Sequence, residues 1–174
     1  MLKALVLLAG AALAVAGLSL AAPQQDTYAL TASLRARAEV PKPSGVPSGA
    51  VGLFTGKAVE LESDRARLTW RLTFRKLSGR AIAAHVHAGR PGKAGNVLVP
   101  LCGPCRSGQR GRATITHAQL RAIRRGLTYV NVHTARNAAG EVRGQLKASK
   151  TGSSDDPPAD PSPSPEPPPT TPYP

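Results

Sequence analysis

Two stretches of the chain alternate regularly between apolar and polar residues. One covers residues 28–40 and the other residues 66–75. Successive side chains of a strand point to opposite faces, so this period of two predicts strands with one face in a core and one in water. Shorter apolar runs bounded by turn residues predict further strands at 51–54, 58–62, 82–88, 97–101, 111–116, 127–134 and 142–148.

One short helix interrupts these strands. Thr116 and Gln119 have the spacing of a capping box, in which each side chain binds the backbone amide of the other residue. Leu120 and Ile123 then form an apolar stripe, and Gly126 suits the left-handed position that follows a helix. We therefore expect a helix over about 117–125.

Turn residues separate the predicted elements. The chain contains 17 Gly and 17 Pro, and clusters of turn-forming residues fall at 41–45, 90–92, 102–104 and 137–140. Aromatic residues make up only 3% of the chain, so a core must consist of Val, Leu, Ile and Ala. Many short strands with a single helix predict an all-β fold, an antiparallel Greek-key β-sandwich.

The beginning of the chain has the pattern of an export signal. Residues 1–22 contain a basic start, an apolar or small-residue run and a small-x-small motif, which predicts a signal peptide cleaved after Ala21 or Ala22. The alternative is an uncleaved membrane anchor, because the run nearly spans a bilayer. The run lacks a basic stop-transfer flank, which favours cleavage and a secreted, extracellular protein, with cell-surface association as a second location.

The end of the chain has a different composition. Residues 151–174 contain ten Pro and very few apolar residues. Such a segment cannot bury enough apolar surface to fold, which predicts a disordered Pro-rich tail. A single folded domain is then expected over residues 26–150.

Charge is concentrated in the predicted domain. Residues 27–150 contain 22 Lys and Arg against five acids, a net charge of +17, whereas residues 151–174 carry four acids and no base. A domain this basic attracts polyanions, so candidate partners are anionic polymers, besides extracellular proteins. The alternative is that the charges only solvate the surface. No motif indicates a specific nucleic-acid partner, and cleavage of the leader would leave no membrane span.

Four motifs occur in a fixed order along the domain. They are AEVP at 38–41, AHVHAG at 84–89, YVNVHT at 129–134 and GEVRGQL at 140–146. In this order, with the helix directly before the third, they resemble the CHRD (chordin-type) domain, which also occurs alone in secreted bacterial proteins. The resemblance covers about 28–147 and implies an extracellular β-sandwich with no established catalytic activity.

The two cysteines are close together in the sequence. Cys102 and Cys105 lie three residues apart, and in an exported chain this spacing predicts a small local disulfide. The alternatives are a redox pair or half of a metal site. A redox pair is disfavoured because it requires a helix N-terminus that lowers the pKa of the first Cys, and the predicted helix begins more than ten residues later.

Three histidines are candidate metal ligands. Val86, Val130 and Val132 are expected to face the core, so His85, His87 and His133 all point from the opposite face of their strands. A His-x-His pair with a distant third His is a spacing used by copper and zinc sites. The alternative is a structural role, in which these side chains form hydrogen bonds across strands.

The His-x-His pattern is also similar to that of the Cu/Zn superoxide dismutases, which are Greek-key sandwiches as well. The similarity ends at three histidines, because the chain lacks a fourth copper-type ligand and a His/His/Asp zinc cluster. His117, the remaining histidine, is expected on the first turn of the helix without a role. Superoxide dismutation is therefore not expected.

The last predicted hairpin has a definite register. The core-facing valines require that Asn131 lies opposite Arg143 and that His133 lies opposite Glu141, because a slip of one residue would reverse a strand. Glu141 would then accept a hydrogen bond from His133 and orient its ring, and Asn131 and Arg143 would flank the same group. The same contacts would also suit a purely structural network.

These patterns lead to three functional hypotheses. The first is a non-catalytic extracellular binding or structural module, and the second is a metal-binding protein that uses the three histidines for copper or zinc. An enzyme is the third and least favoured hypothesis. The chain shows no Ser/His/Asp order, no carboxylate pair in a predicted cleft and no phosphate-binding Gly loop. Convergence of the three imidazoles would favour the metal.

Overall fold

The structure is a computed structural model that describes residues 25–152. Within this range the chain forms nine strands, one α-helix and a 3-10 turn. The strands are β1 (Thr27–Arg35), β2 (Val51–Glu60), β3 (Arg65–Arg75), β4 (Ala81–Ala88), β5 (Val97–Cys102), β6 (Gln109–Thr116), β7 (Thr128–Thr134), β8 (Val142–Gln145) and β9 (Lys147–Gly152), and the helix α1 is His117–Arg124. The predicted signal peptide over residues 1–22 lies outside the described residues. The tail was predicted to begin at residue 151, but residues 151 and 152 belong to β9, and the rest of the predicted tail lies outside the described residues.

All strand pairs are antiparallel. The order is β5-β4-β7-β8-β1-β2-β3-β6, and β9 also pairs with β1. Strands β8 and β1 share only the register pair Arg35–Arg143, so the sheet divides there into a β7 half (β5-β4-β7-β8) and a β3 half (β1-β2-β3-β6). Since β9 pairs with β1, it lies beside the β3 half, and the chain passes between the halves after β3, β5, β6 and β8, as in a Greek key. The predicted all-β antiparallel sandwich with one helix is confirmed.

The inward faces of the two halves enclose one hydrophobic core. Phe54 and Leu68 of the β3 half and Val86 and Val130 of the β7 half have no exposed surface and belong to this core. They occupy alternate positions of their strands, as the period of two predicts. Burying a side chain of this size stabilises the fold by roughly 1.5–3 kcal/mol relative to leaving it in water.

The helix begins and ends as its sequence predicts. The Thr116 hydroxyl accepts from the Gln119 amide at 3.1 Å, and the Gln119 side-chain oxygen accepts from the Thr116 amide at 2.8 Å. Leu120 and Ile123 are buried, and Gly126 has a φ of 66° beyond the last turn. The capping box therefore forms, and its apolar stripe packs on the core.

The first alternating stretch ends earlier than predicted. Strand β1 stops at Arg35, opposite Val51 at the start of β2, and Ala36–Ala38 form the 3-10 turn. The ladder to β2 ends at Val51, so the chain turns away although its alternation continues. Glu39, expected on the water-facing side, is only 2% exposed as a result.

Two other strand predictions are also wrong in their boundaries. Residues 51–54 and 58–62 form the single strand β2, which pairs with β1 and β3 through the intervening positions. Residues 142–148, predicted as one strand, divide into β8, which pairs with β7, and β9, which pairs with β1. In both cases the distant partner strand determines the boundary.

The predicted disulfide is confirmed. Cys102 and Cys105 are bonded, with 5.3 Å between their Cα atoms. The amide of Cys105 donates to the Ala81 carbonyl at 3.0 Å, which ties the loop to the start of β4. Among the described residues, α1 is too short and too polar to be a membrane-spanning helix.

Candidate metal centre

The outer face of the β7 half is a second buried layer, separate from the hydrophobic core. The register pairs Asn131 with Arg143 and Tyr129 with Gln145, which confirms the predicted pairing of β7 and β8. On the other side of β7, His85 pairs with Asn131 and His87 with Tyr129. The side chains of this layer are those of His85, His87, Tyr129, Asn131, His133, Arg143 and Gln145.

The three candidate histidines converge in this layer. One ring nitrogen from each of His85, His87 and His133 can be chosen so that all three lie within 4.8 Å of one another. His85 Nδ1 is 3.0 Å from His133 Nε2. His87 and His133 are 8% and 7% exposed, and His85 is half-buried. The structure therefore brings together all three histidines that the sequence singled out.

Two backbone carbonyls define which nitrogen of each buried ring carries the proton. His87 Nδ1 donates to the Gly95 carbonyl at 2.9 Å, and His133 Nδ1 donates to the Ala138 carbonyl at 3.0 Å. A carbonyl oxygen can only accept, so both rings, when neutral, have their lone pair on Nε2. Among the described residues, His87 Nε2 is buried and has no hydrogen-bond partner.

The environment favours the neutral form of His85 and His133. Burial lowers the pKa of His85 below its usual value, and the neighbouring His133 and His87 lower it further. Burial also lowers the pKa of His133, and the hydrogen bond to Ala138 offsets only part of this effect. Neutral imidazole is the form that binds a metal ion, because only that form has a free lone pair.

Residues 89–96 form a loop that contacts His87 and Arg143, and we call it the cover loop. Arg143 Nη2 donates to the carbonyls of Arg90 and Lys93 at 3.0 and 2.9 Å, and it thereby holds this cover loop in place. The Arg143 guanidinium also lies 3.4 Å from the centroid of the Tyr129 ring, which is stacked on the His87 ring at 4.9 Å. Arg143 thus positions both the loop and the aromatic ring that packs against a candidate ligand.

Gln145 holds the same loop at its beginning. Its side-chain amide donates to the Gly89 carbonyl at 2.8 Å and to the Gly126 carbonyl at 2.9 Å. The cover loop contributes the Gly95 carbonyl to His87, so its position determines the orientation of that ring. Sequence reasoning treated residues 90–92 only as a turn, and no local signal indicated that the loop would cover the site.

Contrary to the prediction, Glu141 does not contact His133. Its carboxylate accepts from the Ser78 amide at 2.6 Å, the Thr134 hydroxyl at 2.6 Å and the Asn137 side chain at 3.2 Å. Thr134 and His133 are consecutive in β7, so their side chains point to opposite faces, and Glu141 lies on the side of Thr134. The predicted hydrogen bond is therefore wrong, and the Ala138 carbonyl takes the place of the carboxylate.

A buried carboxylate that the sequence did not suggest lies near Arg143. Burial raises the pKa of Glu39, although the Val40 amide and the Arg143 charge act in the opposite direction. Glu39 and Arg143 line a cleft of about 470 Å³. A side chain at Gly140, whose φ is 134°, would collide with the Glu39 carboxylate and the Asn131 amide. The AEVP and GEVRGQL motifs therefore meet here.

A family model described as CHRD domain matches residues 30–146 of the chain. The match includes the three histidines, the disulfide and every side chain of the buried outer layer. Comparison with curated proteins gave no match, and comparison with solved structures gave none either.

Proposed function

Since this chain belongs to the CHRD-domain family, we propose that it is a secreted, non-catalytic binding module whose three histidines bind one copper or zinc ion. CHRD domains occur in extracellular proteins. The disulfide supports export, because such bonds persist in oxidising compartments. The leader-like pattern of residues 1–22 also supports it.

One observation carries the metal assignment. His87 Nε2 has a lone pair, is buried and finds no partner among the described residues, while its ring is held through Nδ1 by the Gly95 carbonyl. An unpaired buried polar atom costs roughly 1–3 kcal/mol, so it requires an explanation. A cation bound between His87, His133 and His85 would give this nitrogen a partner. It would also account for the convergence of the three imidazole rings.

The donor set indicates the class of metal. Three neutral imidazole nitrogens suit copper and zinc, whereas calcium and magnesium prefer oxygen ligands. Cys102 and Cys105 are joined in a disulfide and offer no thiolate. Backbone carbonyls hold Nδ1 of His87 and of His133, and this is a common way to orient metal-bound histidines.

A second candidate is a structural histidine network without metal. The 3.0 Å contact between His85 Nδ1 and His133 Nε2 favours it, since His85 can donate there to the lone pair of His133. In that arrangement His133 is satisfied, and among the three clustered histidines of the described chain His87 Nε2 is the buried nitrogen that stays unpaired. The two candidates therefore differ at His87. The metal site uses Nε2 of His87 as a ligand, whereas the structural network leaves this nitrogen unpaired.

Metal titration of the purified protein distinguishes them. We expect one equivalent of Cu(II), Cu(I) or Zn(II) per chain, measured by calorimetry and by metal analysis after dialysis. His87→Ala should abolish binding. His117→Ala is the matched control, because His117 lies outside the cluster and contacts Asp64 at 3.3 Å, and it should bind normally. If the wild type retains no copper or zinc, or if His117→Ala loses the metal as well, the proposal is wrong.

A further inference from the structure

The outer face of the β3 half is strongly basic and open to solvent. Its side chains alternate with those of the core, and the cations on it are all exposed. They are Arg35 of β1, Lys57 of β2, Arg65, Arg67, Arg71 and Arg75 of β3, and Arg110 and Arg112 of β6. We call this set the arginine face.

Among residues 25–152, no acidic side chain neutralises the arginine face. The only acid in its four strands is Glu60, at the end of β2, and it contacts Arg124 of the helix at 3.5 Å. Within residues 25–152, the ion pairs are this one, His117–Asp64 and Lys150–Asp26. None of the eight cations therefore has a counter-ion in the described part of the chain.

The register brings like charges together. Arg71 lies directly opposite Arg110, and Thr69, two pairs further along on the same face, lies opposite Arg112. Like charges on directly opposed residues of neighbouring strands destabilise a sheet. An anion bound between them would remove that repulsion, and the backbones that carry them lie about 5 Å apart in neighbouring strands.

Hydroxyl groups lie between the cations. A shallow cleft of about 340 Å³ is lined by Thr55, Lys57, Thr69, Arg71 and Arg110. A second cleft of about 510 Å³ contains Arg35 and Arg75 together with Ser33, Thr73 and Ser107. Each cleft thus combines positive charges with groups that both donate and accept hydrogen bonds.

We propose that the arginine face binds a linear anionic polysaccharide, with sulfate or carboxylate groups at the arginines and sugar hydroxyls at the threonines and serines. Along a strand the rows of outward side chains repeat about every 7 Å, so a flat extended chain can contact several rows at once. This face and the histidine site belong to different halves of the sheet, so the two proposals are independent.

The side chains favour a polysaccharide over a nucleic acid. Proteins that bind single-stranded nucleic acids stack the bases on aromatic rings. Tyr28, Phe54 and Trp70 of these strands point into the core, with 3%, 0% and 6% exposure, and Phe74 is partly buried. Trp70 lines the first cleft and Phe74 the second, but both rings pack on the core, so neither offers a fully exposed face on which a base could stack.

Equilibrium binding of the full mature chain tests the proposal. The probes are dextran sulfate, alginate and single-stranded DNA at several salt concentrations, which separate sulfate, carboxylate and phosphate sources. We expect salt-dependent binding to at least one polysaccharide that is tighter than binding to DNA. The triple variant Arg67→Gln/Arg71→Gln/Arg110→Gln should lose at least about tenfold in affinity, and its logarithmic salt slope should fall by roughly one per lost contact.

A matched variant separates the face from the net charge. Arg80→Gln/Arg121→Gln/Arg125→Gln removes the same charge from exposed positions outside the arginine face, and its affinity should change less than about twofold. The charge-preserving Arg67→Lys/Arg71→Lys/Arg110→Lys should retain most of the binding. Equal weakening by both Gln variants, or tighter binding to DNA than to either polysaccharide, would overturn the proposal.

The acidic residues after residue 152 are the competing occupant. Neutralising Asp155, Asp156, Asp160 and Glu166 by amide substitutions tests this directly. If an external polysaccharide is the occupant, its affinity should change less than about threefold. A tenfold or greater rise that depends on the arginine face would identify the chain's own acidic end as the occupant and contradict the proposal.

Discussion

The two halves of the sheet use the same alternating pattern on their outer faces and differ in what covers them. On the β7 half, Arg143 is 2% exposed and binds two carbonyls of the cover loop. On the β3 half, Arg67 and Arg71 are exposed, and no loop within residues 25–152 covers them. A side chain that points outward from a strand is thus exposed only where no loop packs over it. The role of an outward arginine therefore depends on the loops above its strand.

The strongest test of this comparison makes the same substitution on both faces. Arg143→Ala should lower the free energy of unfolding by about 3 kcal/mol or more, because it removes two hydrogen bonds from a buried charged group and the packing on Tyr129. Arg67→Ala should change it by less than about 0.5 kcal/mol. Urea denaturation of both variants checks this. Equal effects would show that the two faces do not differ in this way.

Glu141→Gln should have an intermediate effect on stability. It weakens the hydrogen bonds from Ser78, Thr134 and Asn137, so we expect a loss of about 1–3 kcal/mol without metal. Because Glu141 does not contact His133, the metal affinity should change little. A large loss of metal affinity with an unchanged stability of the metal-free protein would contradict this geometry.

The same residue predicts a pH dependence. Burial alone would raise the pKa of Glu141, but the hydrogen bonds from Ser78, Thr134 and Asn137 outweigh it and hold the pKa below its usual value of 4.5. The stability that Glu141 contributes is therefore present above about pH 4.5 and is lost as the pH falls through the lower, folded-state pKa. The difference in unfolding free energy between wild type and Glu141→Gln should shrink on acidification. A difference that grows on acidification would mean that folding raises the pKa of Glu141 instead of lowering it.

The smallest change in the free energy of unfolding is expected for a substitution on the arginine face, and this substitution should stabilise the protein. Arg71→Thr removes the repulsion with Arg110 and should stabilise the protein by about 0.2–1 kcal/mol at low salt. The gain should disappear at high salt because exposed charges are screened. Arg67→Thr is the control, since Arg67 lies opposite Val59 and Thr114 and has no cation directly across. A stabilisation that persists in high salt would point to strand propensity instead of charge.

Much of the fold could be predicted because its signals are local. Alternation placed Leu68 and Val130 in the core, the Thr116–Gln119 capping box placed the helix, and the requirement that Val142 face inward set the register of β7 and β8. The same reasoning put the three histidines on one face of neighbouring strands. Each of these inferences needs only the geometry of a strand or a helix turn.

The contacts that orient the site could not be predicted in this way. The Gly95 and Ala138 carbonyls that hold His87 and His133 are backbone groups, and any residue type offers the same carbonyl. Glu141 was assigned to His133 from register alone, but its carboxylate reaches the opposite face at the end of the strand. The residue types in the sequence therefore indicated which histidines form the site, but they did not indicate which groups form hydrogen bonds with them.

What the sequence determined by itself is the position of most strands, the capped helix, the disulfide and the outward direction of the three histidines. What the tertiary structure decided is that one outer face is covered and the other is open, and that Glu39 and Arg143 are buried. The physical reason is that burial depends on which distant segment packs over a residue. Arg143 is buried because residues 89–96 cross above it, some 50 positions away in the chain, and no local pattern at Arg143 records that contact.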